Sequence, residues 1–369
     1  MLLGLVLLGP GAARADQPAG PGEGEAEALP AFRVSVDLVQ VDAVVTDKKG
    51  RLVTDLGPAD FTILEGGKRQ QIAQASFVSA DAPAPPAADQ ARQPRRAHRT
   101  IVLVFDDLGL SFFGAAAAQS ALERFAREPF VPGDHVAIVR TGQQEMCYTF
   151  LGNNEELSSA VAKLGYNLSS SRPGRGLGAA FERDTYARRV AILLGTIDGL
   201  RWLPGRKAVV LLSEGFYVDS DVWSGHGLHT AYDTLFSDND FQAAARTVAE
   251  VANRASVVLY AVHAGGVGAD WLSQATLHDL VDPTGGFVVV NHNDLHAALD
   301  RIVVDQAGYY LIGYEPRSST FEKKSGKPQF RRVKVKVQRA GLTVRSRRGF
   351  YGLTDAEVAA RAPRPIASK

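Results

Sequence analysis

Two adjacent carboxylates, Asp106 and Asp107, follow a run of five apolar residues in the segment TIVLVFDDLGLS. An uninterrupted apolar run of this length is typical of a strand buried on both faces of a parallel sheet. Open α/β sheets bind their ligands at the carboxyl ends of such strands. Gly109 permits a tight turn there, and Ser111 adds a hydroxyl. Because Mg²⁺ and Mn²⁺ prefer oxygen ligands, we predict a divalent metal site on this strand-to-helix loop.

A metal-free role for the same loop is the alternative. An alanine-rich run, 115–126, follows the loop and predicts a helix. Asp106 and Asp107 could cap this helix and hold the turn through hydrogen bonds to the backbone. The residues alone leave both roles open.

The segments that follow this loop predict an α/β fold. Strands alternate with helices of ten or more residues, which predicts βαβ units in a doubly wound, mostly parallel sheet. Glu214 directly follows the second fully apolar strand, Ala208–Ser213. Because the carboxyl ends of parallel strands meet at one edge of the sheet, we expect Asp106, Asp107 and Glu214 to converge there.

Segments rich in predicted strands flank the α/β region on both sides. Apolar and polar residues alternate in 33–46, and the pattern returns to strands and hairpin turns after Gln306. Neither block has enough strands for a sandwich of its own, so we predict one small all-β sandwich with the α/β domain inserted between its halves. The predicted segments are a signal peptide (1–15), a linker (16–30), the first sandwich part (31–78), a linker (79–98), the α/β domain (99–306), the second sandwich part (307–352) and a tail (353–369).

Composition and the first residues bear on location and partners. Residues 1–8 are apolar and Ala13-Arg14-Ala15 fits a cleavage site, so we expect an exported protein, periplasmic or secreted. No apolar stretch approaches the roughly 20 residues that span a bilayer, so we expect no membrane span in the mature chain. The net charge of +1 gives no sign of a nucleic-acid partner. The single cysteine, Cys147, excludes an intrachain disulfide.

Several longer motifs resemble those of von Willebrand factor type A (VWA) domain proteins, and most of all the subfamily found in acidobacterial soil bacteria. The resemblance extends from about residue 33 to residue 351 and implies a VWA fold for the α/β region. The motifs are VDAVVTDKKGRLVTDL (41–56), DFTILEGGK (60–68), VFDDL (104–108), PGDHVAIV (132–139), LLSEG (211–215), YYLIGY (309–314) and RRGFY (347–351).

The resemblance implies a metal-ion-dependent adhesion site, through which VWA domains bind protein ligands. The first loop of such a site reads Asp-x-Ser-x-Ser; here Asp107 and Ser111 match its ends, and Gly109 replaces the middle serine. The register that starts on Asp106 keeps no serine, so Asp106 is assigned a supporting role. A later metal-binding Asp corresponds to Ser213 or Glu214. The position of the family's Thr falls in the loop 169–178, where three serines are loose candidates.

Three functions follow from these residues. The first is a binding module that recognises a protein ligand through a degenerate adhesion site holding Mg²⁺ or Mn²⁺. The second, from a different class, is a metal-free structural or assembly module of the cell envelope. The third is a Mg²⁺-dependent phosphoryl-transfer enzyme; it is disfavoured because Lys207, the lysine that such chemistry needs, starts its strand and so lies at the wrong edge. We therefore expect no enzymatic activity.

Two histidine pairs are further candidates for metal ligands. His226 with His229, and His292 with His296, have suitable donors but no second pair of fixed ligands nearby in the sequence. The glycines of Gly265–Gly268 lack the spacing of a dinucleotide-binding loop and favour a tight turn.

Overall fold

Strands and helices alternate in the middle of the chain, and strands alone lie on either side. The computed structural model describes residues 39–79, 99–128, 134–143, 148–168, 178–203, 205–216, 238–269, 271–316 and 330–351, all within one unit, Asp37–Lys369. The strands are β1 (Val39–Thr46), β2 (Phe61–Glu65), β3 (Lys68–Ser79), β4 (Thr100–Phe105), β5 (His135–Arg140), β6 (Lys207–Ser213), β7 (Val257–His263), β8 (Val288–Val289), β9 (Gly308–Glu315), β10 (Phe330–Val337), β11 (Thr343–Ser346) and β12 (Gly349–Tyr351). The helices are α1 (Phe112–Phe125), α2 (Asn154–Val161), α3 (Gly178–Gly199), α4 (Asp238–Ala255), α5 (Trp271–Val281) and α6 (Leu295–Gln306).

The parallel sheet contains β4 to β8 in the order β5-β4-β6-β7-β8. Every residue of β4, β6 and β7 is buried, which explains their continuous apolar sequences. Successive residues of β4 point to opposite faces: Leu103 packs with α1, α2 and α6, and Val104 packs with α3, α4 and α5. The predicted doubly wound α/β architecture is confirmed.

The antiparallel sheet combines strands from both sides of the α/β region. Its order is β11-β1-β9-β3-β2-β10-β12, so strands from the N-terminal side and strands from the C-terminal side are hydrogen-bonded into one sheet. The strand β9, for example, pairs with β1 on one side and with β3 on the other. Its buried core contains Phe61, Ile63, Tyr310 and Ile312. The prediction of a small all-β sandwich built from both end segments is therefore confirmed.

Several element boundaries differ from those predicted. The helix α1 begins at Phe112, because the Ser111 hydroxyl oxygen accepts a hydrogen bond from the Gly114 amide (3.1 Å) and caps it. An isolated antiparallel bridge joins Val136 of β5 to Leu151, and residues 144–147 lie outside the described part. Of the predicted linker 79–98, residue 79 ends β3 and residues 80–98 lie outside the described part. The predicted signal peptide (1–15), first linker (16–30) and tail (353–369) also lie outside it, as do Cys147, the serines 169–171, His226 and His229.

The antiparallel sheet contacts the amino edge of the parallel sheet. The Arg348 amide donates a hydrogen bond to the Pro283 carbonyl (3.1 Å), and Arg347 Nη1 donates to the Asn253 carbonyl (3.3 Å). Both carbonyls lie in segments that lead into a parallel strand. The carboxyl edge, where the candidate residues lie, is at the opposite end.

Among the described helices, none has the length and apolar character that a membrane crossing requires.

Candidate functional site

Asp106 follows β4 directly and is fully buried. Each of its carboxylate oxygens accepts two hydrogen bonds. Oδ1 accepts from Arg189 Nε (2.9 Å) and Thr141 Oγ1 (2.9 Å), and Oδ2 accepts from Arg189 Nη2 (2.5 Å) and Ser213 Oγ (2.6 Å). Its backbone carbonyl accepts from the amides of Gly109 and Leu110, which closes the turn. The buried charge of Asp106 is thus compensated by a guanidinium and two hydroxyls.

Arg189 occupies the buried side of α3. Its side chain is 8% exposed, and its Nη2 also donates to the Gly215 carbonyl (2.5 Å). Its Cζ lies 4.1 Å from the centre of the Phe216 ring, a cation–π distance. Because an arginine is charged at every accessible pH, this arrangement places a permanent cation against Asp106.

Asp107 is also fully buried but has a different set of partners. Arg140, the last residue of β5, donates to Oδ2 from Nη2 (2.6 Å) and Nε (3.0 Å). The Gly142 amide donates to Oδ1 (2.7 Å), and Asn167 Nδ2 approaches Oδ2 (3.3 Å). Thr141 lies between the two carboxylates, with its Oγ1 3.2 Å from Asp107 Oδ1. The two aspartates therefore each face a separate arginine.

Glu214 and Ser111 form a third group at the same edge. The Ser111 hydroxyl donates to Glu214 Oε1 (2.6 Å), and the Ser111 amide donates to the same oxygen (3.3 Å). Both residues line a groove of about 370 Å³, together with Phe113, His292 and other residues. The structure thus brings Ser111 and Glu214 together, brings Asp106 and Ser213 together, and gives Asp107 its own partners.

The space beside Gly109 is too small for a side chain. A Cβ atom on Gly109 would lie 2.3 Å from Arg189 Nη2 and 2.5 Å from Asp106 Oδ2, closer than real contacts allow. The Arg189 guanidinium therefore occupies space that a serine at this position would need. The glycine and the arginine are two parts of one local arrangement.

The carboxylates as arranged do not fit a resident Mg²⁺ or Mn²⁺. A hard divalent ion needs oxygen lone pairs directed at it, and those of Asp106 and Asp107 already accept hydrogen bonds from arginine, hydroxyl and amide donors. The two carboxylates are also balanced by two guanidinium groups. Ser213 belongs to the Asp106 network, while Ser111 and Glu214 bind each other. Whether Mg²⁺ or Mn²⁺ binds at all stays a prediction.

Arg140, Thr141 and Arg189 were not predicted as site residues from the sequence. Arg140 and Thr141 lie at the end of β5, next to β4. Because the carboxyl ends of parallel strands meet at one edge of the sheet, their position next to Asp106 could have been predicted. Arg189 lies three residues after Tyr186 and three before Ile192, both packed in the core. A charged residue within an apolar helical stripe signals a buried partner of opposite charge.

The histidines His292 and His296 have separate partners. His292 Nδ1 accepts from the Asp294 amide (3.1 Å). His296 lies between Glu128 (3.1 Å) and Asp300 (3.2 Å), and the ligand atoms of these three residues lie within 4.8 Å of one another. His292, the other member of the predicted pair, does not belong to this cluster.

The fold belongs to the α/β class and has a helix-flanked parallel sheet beside an antiparallel sheet. Comparison with family models gives no match, and neither does comparison with curated proteins. Among solved structures, the human COPII-coat protein Sec24c matches over 75% of this chain, with 11% identity and a TM-score of 0.30. The match spans 46% of the Sec24c chain, less than half its length, and a similarity this weak carries no functional argument. VWA membership stays a prediction.

Proposed function

We propose that this chain is a non-enzymatic binding module that recognises a protein ligand at the carboxyl edge of its parallel sheet, without requiring a divalent ion. The proposal rests on one observation above all. Five of the eight large apolar side chains exposed in the described residues belong to loops and helix starts at this edge, with 63% to 82% exposure. We call these residues the apolar rim: Phe112, Phe113, Leu168, Val267 and Trp271.

The apolar rim adjoins the groove beside Glu214, because one of its members, Phe113, lines that groove. The Phe112 ring lies 5.7 Å from the Phe113 ring and 5.8 Å from the Tyr166 ring, so aromatic groups adjoin one another along one side. Phe113 lines the groove, and the Val267 amide donates to Asn293 Oδ1 (3.2 Å) on its other side. Exposed apolar groups gathered around a concave polar site are a mark of protein interfaces.

Arg140 supplies a cation beside the rim. Its side chain is 42% exposed although the carboxylate that it binds is fully buried. Arginine and aromatic residues are enriched at the energetically important centres of interfaces. Asp107 balances the charge of this guanidinium, and its exposed part would donate hydrogen bonds to an acidic group of the ligand without a metal ion.

The same carboxylate network weighs against phosphoryl transfer. A nucleophilic or metal-binding aspartate needs free oxygens, and Asp106 Oδ1 and Oδ2 each accept two hydrogen bonds. The proposed role is therefore binding, with the network holding the loops that present the rim.

Site-specific photo-crosslinking in the source organism tests this proposal. In the full chain, p-benzoylphenylalanine replaces Trp271 in one variant and Trp202 in the control. The two tryptophans are equally exposed (71% and 72%), but Trp202 precedes β6 and so lies at the amino edge. We expect one protein to be captured at position 271 and not at position 202, both with and without EDTA.

The purified crosslinked protein then provides a binding assay. Phe113→Ser should weaken binding at least tenfold, because an exposed aromatic group at an interface centre contributes more than about 1.4 kcal/mol. Trp202→Ser should leave it unchanged. Equal capture at both tryptophan positions would refute the rim as the binding surface. Capture that disappears in EDTA would instead favour a metal-dependent site.

A further inference from the structure

A small cavity lies where the antiparallel sheet meets the amino edge of the parallel sheet. Its volume is about 20 Å³, which is room for one or two water-sized spheres. Three arginines line it: Arg206, just before β6, Arg345 on β11, and Arg347, just after β11. The cavity is at the opposite end of the sheet from the apolar rim and is independent of it.

Four nitrogen atoms of these arginines have no hydrogen-bond acceptor. They are Nε and Nη1 of Arg206, Nη1 of Arg345 and Nε of Arg347, and all four are buried. The Arg206 residue is only 5% exposed, so bulk water does not satisfy it. Asn253, which also lines the cavity, has one buried acceptor without a partner, its Oδ1. The unpaired donors outnumber this acceptor, and because unpaired buried N–H groups of a charged side chain are costly, the arrangement favours a further acceptor inside the cavity.

The charges around the cavity do not balance. Asp305 accepts hydrogen bonds from Arg206 Nη2 (3.4 Å) and from Arg345, and it also accepts from the Tyr260 hydroxyl (2.5 Å). Asp42 also lines the cavity. Three guanidinium groups thus face two carboxylates, and the carboxylate of Asp305 is already shared by three donors. One positive charge remains.

We propose that this cavity binds a small inorganic monoanion of chloride size. A single water molecule would accept two of the free N–H groups but would leave the excess charge in place. A monoanion supplies both the acceptor and the missing negative charge, and the cavity volume excludes a peptide or a nucleotide phosphate. Since Arg206 belongs to the α/β region and Arg345 and Arg347 to the antiparallel sheet, the anion links the two.

Thermal unfolding of the full chain in two sodium salts tests the site. Sodium chloride is compared with sodium methanesulfonate, whose monoanion is too large for the cavity, at equal ionic strength. Chloride should raise the midpoint by about 1–3 °C at a tenfold excess over its dissociation constant, and the rise should increase with concentration as the logarithm of binding at one site predicts. Excess broadening of the ³⁵Cl nuclear magnetic resonance line on adding the protein should report the bound ion directly.

Two arginine variants separate a specific site from a general salt effect. Arg347→Gln removes a cavity-lining guanidinium, and Arg339→Gln removes the exposed partner of Asp55, whose ion pair measures 2.9 Å. Chloride-dependent stabilisation and line broadening should be lost in the first variant and kept in the second. Should Arg347→Gln fail to fold, the wild-type measurements decide. A wild-type midpoint equal in both salts with no excess line broadening, or equal chloride responses in the two variants, would overturn the proposal.

Discussion

Replacing Arg189 with methionine tests whether this guanidinium is the counter-ion of Asp106. The Arg189 side chain is 8% exposed and that of Asp106 is 0% exposed, so the substitution leaves a buried charge without its ion-pair partner. Removing one partner of a buried ion pair costs about 3–5 kcal/mol. At roughly 1–2 °C per kcal/mol for a chain of this length, the unfolding midpoint should fall by about 3–10 °C.

A double-mutant cycle separates this charge effect from lost packing. Asp106→Asn combined with Arg189→Met removes both charges, and the amide still reaches Thr141 and Ser213. Replacing both partners is close to neutral in comparable cases, so the double variant should recover at least about 2 kcal/mol of the loss.

Denaturant unfolding of the full chain, followed by circular dichroism, measures all three stabilities. Arg188→Met is the matched control, because Arg188 is 45% exposed and its partner Asp184 is 71% exposed. This surface pair should contribute less than about 1 kcal/mol. The reasoning would be refuted by an Arg189→Met variant as stable as Arg188→Met, or by a double variant no more stable than Arg189→Met.

Two further predictions concern Gly109 and Lys207. Gly109→Ala places a Cβ 2.3 Å from Arg189 Nη2 and should lower the free energy of unfolding by about 1–3 kcal/mol. Gly57→Ala, where a Cβ would have no atom within 4 Å, should change it little. Equal effects of the two substitutions would contradict the close approach at Gly109. Burial lowers the pKa of Lys207 to about 8 in the folded chain from an ordinary value of 10.5. Between these two values the unfolded state holds more protons at this site, so the lysine makes stability rise with pH in that window. Urea unfolding at pH 8, 9 and 10 should show a smaller rise for Lys207→Met, and identical slopes would contradict the shifted pKa.

The parallel strands could be predicted from the sequence because burial on both faces leaves an unbroken apolar run. The segment 101–105 and the strand ending at Ser213 carry this signal, and their position fixes the edge where Asp106 and Glu214 lie. The helix cap that the sequence left open for Asp106 and Asp107 is instead formed by the Ser111 hydroxyl. Local patterns of this kind need no knowledge of tertiary packing.

The partners of the carboxylates depend on tertiary packing and could not be fixed in the same way. Arg189 is separated from Asp106 by 83 residues, and their contact depends on how α3 lies across the sheet. The strand order of the antiparallel sheet could not be predicted for the same reason. That β1 lies between β9 and β11 follows from side-chain packing across the whole sheet, which strand alternation does not encode.

Thermal unfolding of the full chain in EDTA, Mg²⁺ or Mn²⁺, at matched ionic strength, tests most directly whether the carboxylate network works without a metal. Because Arg140 and Arg189 already balance Asp107 and Asp106, we predict the same midpoint in all three conditions. An ion that bound only the native state would add about 2.7 kcal/mol at a hundredfold excess over its dissociation constant, or roughly 3–5 °C for a chain of this length. A rise of that size in Mg²⁺ or Mn²⁺, lost in Asp107→Ala, would contradict the metal-independent network and establish a metal-dependent adhesion site.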